Sequence, residues 1–110
     1  MPVDAGALIG EYRVAGAGGL EVDLDWAITL SITADRIALQ SQCVTPSWRY
    51  AYSDGAISTE AIPMPICERA LAPVEQAAID ALDGATTVRR SPANAVVLEG
   101  AGRAITLFSQ

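Results

Sequence analysis

The dipeptide Asp54-Gly55 constrains the fold of this chain most, because it separates two segments in which apolar and polar residues alternate. A two-residue hairpin turn of type I′ requires positive φ at both central positions, and Asp-Gly is a pair that adopts it. Such a turn fixes the register of the two strands that it joins. The predicted cross-strand pairs are Tyr52 with Ile57, Tyr50 with Thr59, and Trp48 with Ala61.

This hairpin places Trp48, Tyr50 and Tyr52 on one face, and Ile57 stands opposite the last of them. These four residues could line an apolar pocket. The other interpretation is that they pack against the helix or fill the interior of a barrel, which is more usual for aromatic rows at strand period. The pattern leaves both alternatives open.

The same alternation predicts further strands near residues 8–14, 26–33, 37–39, 86–90, 95–99 and 103–108. The glycine cluster at 15–19 predicts a turn between strands. A helix is expected at about 73–83, because Pro73 suits its first turn and Gly84 suits the C′ position that ends it. Its apolar stripe consists of Leu71, Val74, Ala78, Ala81 and Leu82.

These elements predict one α+β domain spanning residues 1–110, since a chain of 110 residues rarely supports two cores. The fold is expected to be β-rich, an antiparallel curved sheet or partly closed barrel of about eight strands with one main helix. Hydrophobic residues are 51% of the chain and charged residues 18%, which is typical of a folded globular domain.

The charged residues exclude several function classes. All seven basic residues are arginine, so a histidine-based nucleophile pair, an imidazole metal ligand, a Schiff base and a Walker A lysine are all ruled out. The net charge of −6 argues against a nucleic-acid partner, which requires basic residues. The acidic residues Glu21, Asp23 and Asp25 are interpreted as a solvated face, and we expect no metal and no cofactor.

No segment reaches the roughly 18 apolar residues that a membrane span needs. The first residues, Met1 to Asp4, lack the positive region and long apolar stretch of a secretory signal. Two possibilities therefore stay open, a cytosolic protein or an exported one whose leader lay upstream of this chain.

Seven segments of the chain combine two cysteine steps with an aromatic hairpin, the helix and the last two strands: Gln42-Cys43-Val44, Trp48-Arg49-Tyr50, Thr59 to Met64, Ile66-Cys67, Val74-Glu75 to Leu82, Val96-Val97-Leu98 and Ile105 to Phe108. Their order and the placement of the cysteines resemble the META domain family, which includes the heat-inducible HslJ-like proteins of bacteria. Two departures from the family pattern are Gln42 and Val44 around the first cysteine, and Pro65-Ile66 before the second.

The resemblance implies a small exported or lipid-anchored domain without an established reaction, similar in fold to the pilotins of type III secretion, which bind an apolar peptide or lipid. We therefore expect a non-enzymatic binding or accessory module, associated with the envelope or with stress, whose partner is an apolar peptide or lipid. The alternative is a small enzyme built on carboxylates, or an enzyme inhibitor. A periplasmic or envelope location is favoured if the gene encodes a leader.

Cys43 and Cys67 form neither a C-x-x-C redox motif nor, without histidine, a complete zinc site. The two remaining interpretations are a disulfide bond and a pair of buried free thiols.

We expect Cys43 and Cys67 to be bonded once the protein has met oxidising conditions, because both continue outward from the end of the hairpin where Trp48 faces Ala61. The bond would stabilise the fold by about 3.5 kcal/mol on the chain-entropy model, and it would favour an exported location. Ellman titration of denatured, unreduced protein from an oxidising compartment should find no free thiol. Two thiols per chain would contradict the bond.

Overall fold

The computed structural model describes residues 8–24, 26–42, 44–63 and 70–110. In these ranges the chain forms nine β-strands and a main helix of eleven residues. The elements in chain order are β1 (Gly10–Ala17), β2 (Leu20–Glu21), β3 (Thr29–Ile32), β4 (Arg36–Gln40), β5 (Ser47–Ser53), β6 (Ala56–Ile62), α1 (Pro73–Asp83), β7 (Thr87–Arg90), β8 (Val96–Gly100) and β9 (Arg103–Ser109).

Eight of the strands form a closed antiparallel barrel in the order β1-β3-β4-β5-β6-β7-β8-β9, and β9 pairs back onto β1. The short strand β2 lies outside this ring and pairs with β1. Among the described strands the shortest pairing is between β6 and β7, where Ala56 opposite Thr87 is the single residue pair. The predicted β-rich fold with a single main helix is confirmed, and the pairing of the first strand with the last closes the barrel.

The hairpin of β5 and β6 has the predicted register, with Trp48 opposite Ala61, Tyr50 opposite Thr59, and Tyr52 opposite Ile57. At its turn, φ is 52° at Asp54 and 88° at Gly55, so both central residues are left-handed as a type I′ turn requires.

Strand β3 is shorter than the alternation predicts, because the alternation runs over residues 26–33 and the strand is Thr29–Ile32. The reason lies in the neighbouring strand. β1 pairs with β3 from Gly10 to Arg13, but β2 occupies the same edge of β1 at Gly16 and Ala17. The Ile28 carbonyl still accepts a hydrogen bond from the Val14 amide, but beyond that point β2 occupies the edge of β1.

The barrel interior is filled by side chains. Strands alternate inward and outward residues, and the inward ones form one core together with the buried face of α1. The largest buried side chains are Trp48, Tyr12, Leu8, Ile28, Leu30, Ile32, Ile37, Leu39, Leu82, Leu98, Ile105 and Leu107.

Helix α1 lies at one end of the barrel. Antiparallel strands alternate in direction, so the ends of β4, β6 and β8 lie beside the start of β5. Side chains from this end reach the helix: Trp48 Nε1 donates to Asp83 Oδ1 at 2.7 Å, and Thr59 Oγ1 donates to the Leu82 carbonyl at 2.6 Å. Val74, Ala78, Ala81 and Leu82, from the predicted stripe, are buried beneath the helix.

The helix ends at Gly84 as predicted, but Gly84 does not adopt the conformation on which that prediction rested. Its φ is −101°, which is not the left-handed conformation expected of a C′ glycine. The end of the helix instead approaches β8 closely, since a Cβ on Gly100 would lie 2.1 Å from the Gly84 carbonyl oxygen. The glycine that this contact requires is therefore Gly100.

We expect the free energy of unfolding to fall as the pH rises above about 10, the usual pKa of tyrosine. Burial raises the pKa of Tyr12 and of Tyr50, and the Asp35 carboxylate adds to the effect at Tyr50. A raised pKa in the folded state means that this stability is complete below pH 10 and is lost as the pH passes the folded value. The hydroxyls of Tyr12 and Tyr50 donate to the carbonyls of Leu8 and Thr33, and phenolates cannot donate.

Denaturant titrations between pH 8 and 11.5 measure this effect. The Tyr50→Phe variant should be less stable at pH 8, because it lacks the hydrogen bond to Thr33, and its stability should depend less on pH above 10. An unchanged slope in this variant would contradict the assignment to Tyr50.

Candidate functional site

An open groove of about 850 Å³ lies on the outside of the barrel, where the strand that pairs with one edge of β1 changes from β3 to β2. Its lining residues lie on β1, at Val22 and Ala27 between β2 and β3, at the start of β3, and at the end of β9. The residues that matter most for its chemistry are Arg13, Val22, Ala27, Thr29, Phe108 and Ser109.

The groove follows from the way in which β1 pairs. Its first half pairs with β3, a bulge interrupts the pairing with β9 between Val14 and Gly16, and its second half pairs with β2. Gly16 permits this approach, because a Cβ there would lie 2.5 Å from the Leu20 carbonyl oxygen. The two strands that share the edge of β1 thus leave a gap between them.

The register brings Arg13 between Thr29 and Phe108, which are its direct cross-strand partners on β3 and β9. All three side chains point outward, because their neighbours Val14, Leu30 and Leu107 point into the core. An arginine and a phenylalanine 95 positions apart in the chain therefore stand side by side at the floor of the groove.

Phe108 is 40% exposed and is one of three large hydrophobic side chains in the described ranges that face solvent, with Ile9 and Leu20. Phe108 lies on the opposite face of β9 from Ile105 and Leu107, which are buried. The alternation along β9 therefore predicts that Phe108 faces outward, a signal that sequence reasoning missed.

Among the described residues that line the groove, Arg13 is the one with a charged side chain. Within the part of the chain that the structure describes, its guanidinium makes neither an ion pair nor a hydrogen bond. Arg89 differs in this respect, since its Nε lies 2.7 Å from Glu99 Oε1. The alternation along β1 predicts that the Arg13 side chain faces outward, but it does not predict that Thr29 and Phe108 lie beside it.

The four aromatic and aliphatic residues predicted as a pocket or as core face the barrel interior. Trp48 and Ile57 are 1% and 5% exposed, and Tyr50 and Tyr52 are half-buried against the core. Tyr52 and Ile57 also border a shallow cavity of about 270 Å³ beside the hairpin turn. This placement matches the interior alternative for Trp48 and Ile57, and a ligand pocket formed by all four stays a prediction.

Cys43, Cys67 and Asp25 lie outside the described residues. The disulfide therefore receives no support from the structure and stays a prediction. Of the acidic cluster, Glu21 and Asp23 are exposed. Among the residues described, no group of three or more His, Cys, Asp or Glu side chains is placed to hold a metal ion, and the helical segments there lack the length and hydrophobicity of a membrane span.

A buried polar network joins the helix to the barrel. Ser41 and Glu75 are both fully buried, and Ser41 Oγ donates to Glu75 Oε2 at 2.5 Å. Trp26 Nε1 donates to Ser41 Oγ at 2.8 Å, and the Ala72 amide donates to Glu75 Oε1 at 2.7 Å. The second carboxylate oxygen thus caps the start of α1, so the network fixes the beginning of the helix to the end of β4.

Sequence reasoning missed the burial of both network residues, although the signals were present. Ser41 continues the inward phase of Ile37 and Leu39 beyond β4. Glu75 lies three residues before Ala78 and seven before Leu82, on the buried face of the helix.

We expect Ser41→Ala to reduce the free energy of unfolding by about 1–3 kcal/mol, because it removes one hydrogen-bond partner from a buried carboxylate and from an indole. Urea titration followed by circular dichroism measures the change. Ser58→Ala is the matched control on an exposed strand position and should change stability by less than about 0.5 kcal/mol. Equal stability of the two variants would show that the network does not stabilise the fold.

Comparison with models of known protein families gives no match, and neither does comparison with curated protein sequences. Among solved structures, the chain is similar to a protein from Burkholderia xenovorans determined by NMR. The similarity covers 100% of this chain and 90% of that one, with a TM-score of 0.61 and 19% sequence identity. At this identity the likeness shows a shared fold alone.

Proposed function

We propose that the protein is a non-enzymatic binding module of the META type, an accessory domain associated with the envelope or with stress, whose ligand is an apolar peptide or lipid. The observation that carries the binding function is the groove in which Phe108 is exposed beside Val22 and Ala27. The META part of the proposal is supported by the sequence motifs, from the two cysteine segments to the final strand that ends at Phe108.

The filled interior supports a ligand site on the outside of the barrel. Trp48, Tyr12 and the aliphatic residues around them occupy the space that a larger barrel would leave for a ligand. The outer groove, at about 850 Å³, has the volume typical of sites for small molecules or for part of a chain.

The character of the lining supports binding over catalysis. Val22, Ala27 and Phe108 present apolar surface among polar side chains such as Thr29 and Ser109, and the described lining residues include no carboxylate that could act as an acid or base. Covering exposed apolar surface is favourable by about 25 cal/mol per Å², so an apolar ligand is stabilised by contact with these residues.

The test uses N-phenyl-1-naphthylamine, an uncharged apolar dye whose fluorescence rises on binding. We expect saturable binding to the folded protein and a loss of affinity of about tenfold in Phe108→Ser, because the ring supplies a large part of the apolar contact.

Leu20→Ser is the matched control, since Leu20 is 44% exposed on β2 and does not line the groove. Its dye affinity should equal that of the unmodified protein, and circular dichroism should show both variants folded. Absence of saturable dye binding, or an equal loss in both variants, would contradict the proposed function.

A further inference from the structure

The groove contains one cation that lacks a counterion in the described part of the chain. Arg13 lies between Thr29 and Phe108, and the other groove-lining side chains that the structure describes are neutral. An apolar ligand that covered this surface would remove the guanidinium from water. Removing an unpaired charge from water is unfavourable, so a ligand that fills the groove has to bring an anion to Arg13.

The chemistry of the anion follows from the charge of the site. A guanidinium presents two parallel N–H donors whose geometry matches the two oxygens of a carboxylate. One carboxylate balances one arginine. A phosphate monoester carries nearly two negative charges, and the second would be unbalanced on a protein whose net charge is −6.

The backbone of the groove indicates what kind of chain the carboxylate belongs to. β1 is hydrogen-bonded on both sides, to β9 along one edge and to β3 and β2 along the other. Where the two edges meet, the Val14 amide donates to the Ile28 carbonyl at 2.9 Å, and the Val22 amide donates to the Ala15 carbonyl at 3.3 Å.

The floor therefore offers side chains and no strand edge to a ligand. A peptide laid across it would lose water from its own amides without gaining partners, whereas an acyl chain has no such groups.

We propose that the groove binds a long-chain carboxylate, a fatty acid, with Arg13 holding the carboxylate and Phe108 packing against the acyl chain. This inference rests on the proposed function, since it names the ligand of the same groove.

The test compares ligands that share a ten-carbon chain and differ in the head group. Decanoate, 1-decanol and decyltrimethylammonium displace bound N-phenyl-1-naphthylamine, each below its aggregation concentration. We expect decanoate to bind about tenfold more tightly than decanol, and the ammonium compound to bind more weakly than either. The preference for decanoate should shrink as salt is added, because the head group is recognised by charge.

Variants assign the preference to Arg13. In Arg13→Gln the affinities for decanoate and decanol should lie within about twofold of each other, and Arg13→Lys should keep part of the preference for decanoate. Phe108→Ser should lower the affinity for both ligands by a similar factor. Arg36→Gln removes an exposed arginine on β4 that does not line the groove, and it should behave as the unmodified protein. An unchanged preference in Arg13→Gln would overturn the inference.

The failure of this inference is distinguishable from the failure of the proposed function. If decanol binds as tightly as decanoate and both depend on Phe108, the groove binds apolar ligands and the fatty-acid assignment is wrong. If an apolar peptide blocked at both ends displaces the dye and decanoate does not, the acyl assignment is again wrong. If the dye itself does not bind, the proposed function is wrong.

Discussion

The pairing of β1 with β9 joins the first described strand to the last, and the closed barrel depends on it. Five residue pairs connect the two strands, from Tyr12 with Ser109 to Ala17 with Ile105, and a bulge lies within them. Without this pairing the sheet would have two exposed edges, each offering unpaired amides and carbonyls to other chains. Closure also sets the interior volume, which the inward side chains of the described strands occupy.

Helix α1 completes the barrel because specific polar contacts hold its two ends. At its start, Glu75 accepts hydrogen bonds from Ser41 and from the Ala72 amide. At its end, Asp83 accepts one from Trp48. The small side chains of its buried face let it approach the core closely, and the polar contacts define its direction. Burying Glu75 is tolerable because its carboxylate oxygens are hydrogen-bonded.

The candidate site follows from closure and from the bulge together. β9 brings Phe108 beside Arg13, and the passage of the β1 edge from β3 to β2 opens the groove in front of them. Neither residue is unusual by itself on the surface of a small barrel. What distinguishes them is that a cation without a counterion in the described chain stands next to exposed aromatic surface, a combination suited to a ligand that is apolar and anionic.

The parts of the protein that local rules control can be read from the amino-acid sequence. Asp54-Gly55 fixed the register of β5 and β6, because few residues adopt two successive left-handed conformations, and the apolar stripe after Pro73 fixed the helix and its buried face. The inward or outward phase of Ser41, Arg13 and Phe108 was also present in the pattern of their strands. These properties depend on a residue and its near neighbours, so the sequence contains them.

Which distant segments meet depends on the tertiary structure. Pairing of β1 with β9 closes the barrel, and pairing of β2 with β1 limits the length of β3. The contact between the helix end and β8 requires glycine at position 100. Pairing of β1 with β9 also places Arg13 beside Phe108. Such contacts depend on pairing between strands far apart in the chain, where many registers satisfy the same alternation and the packing of the whole barrel selects one of them.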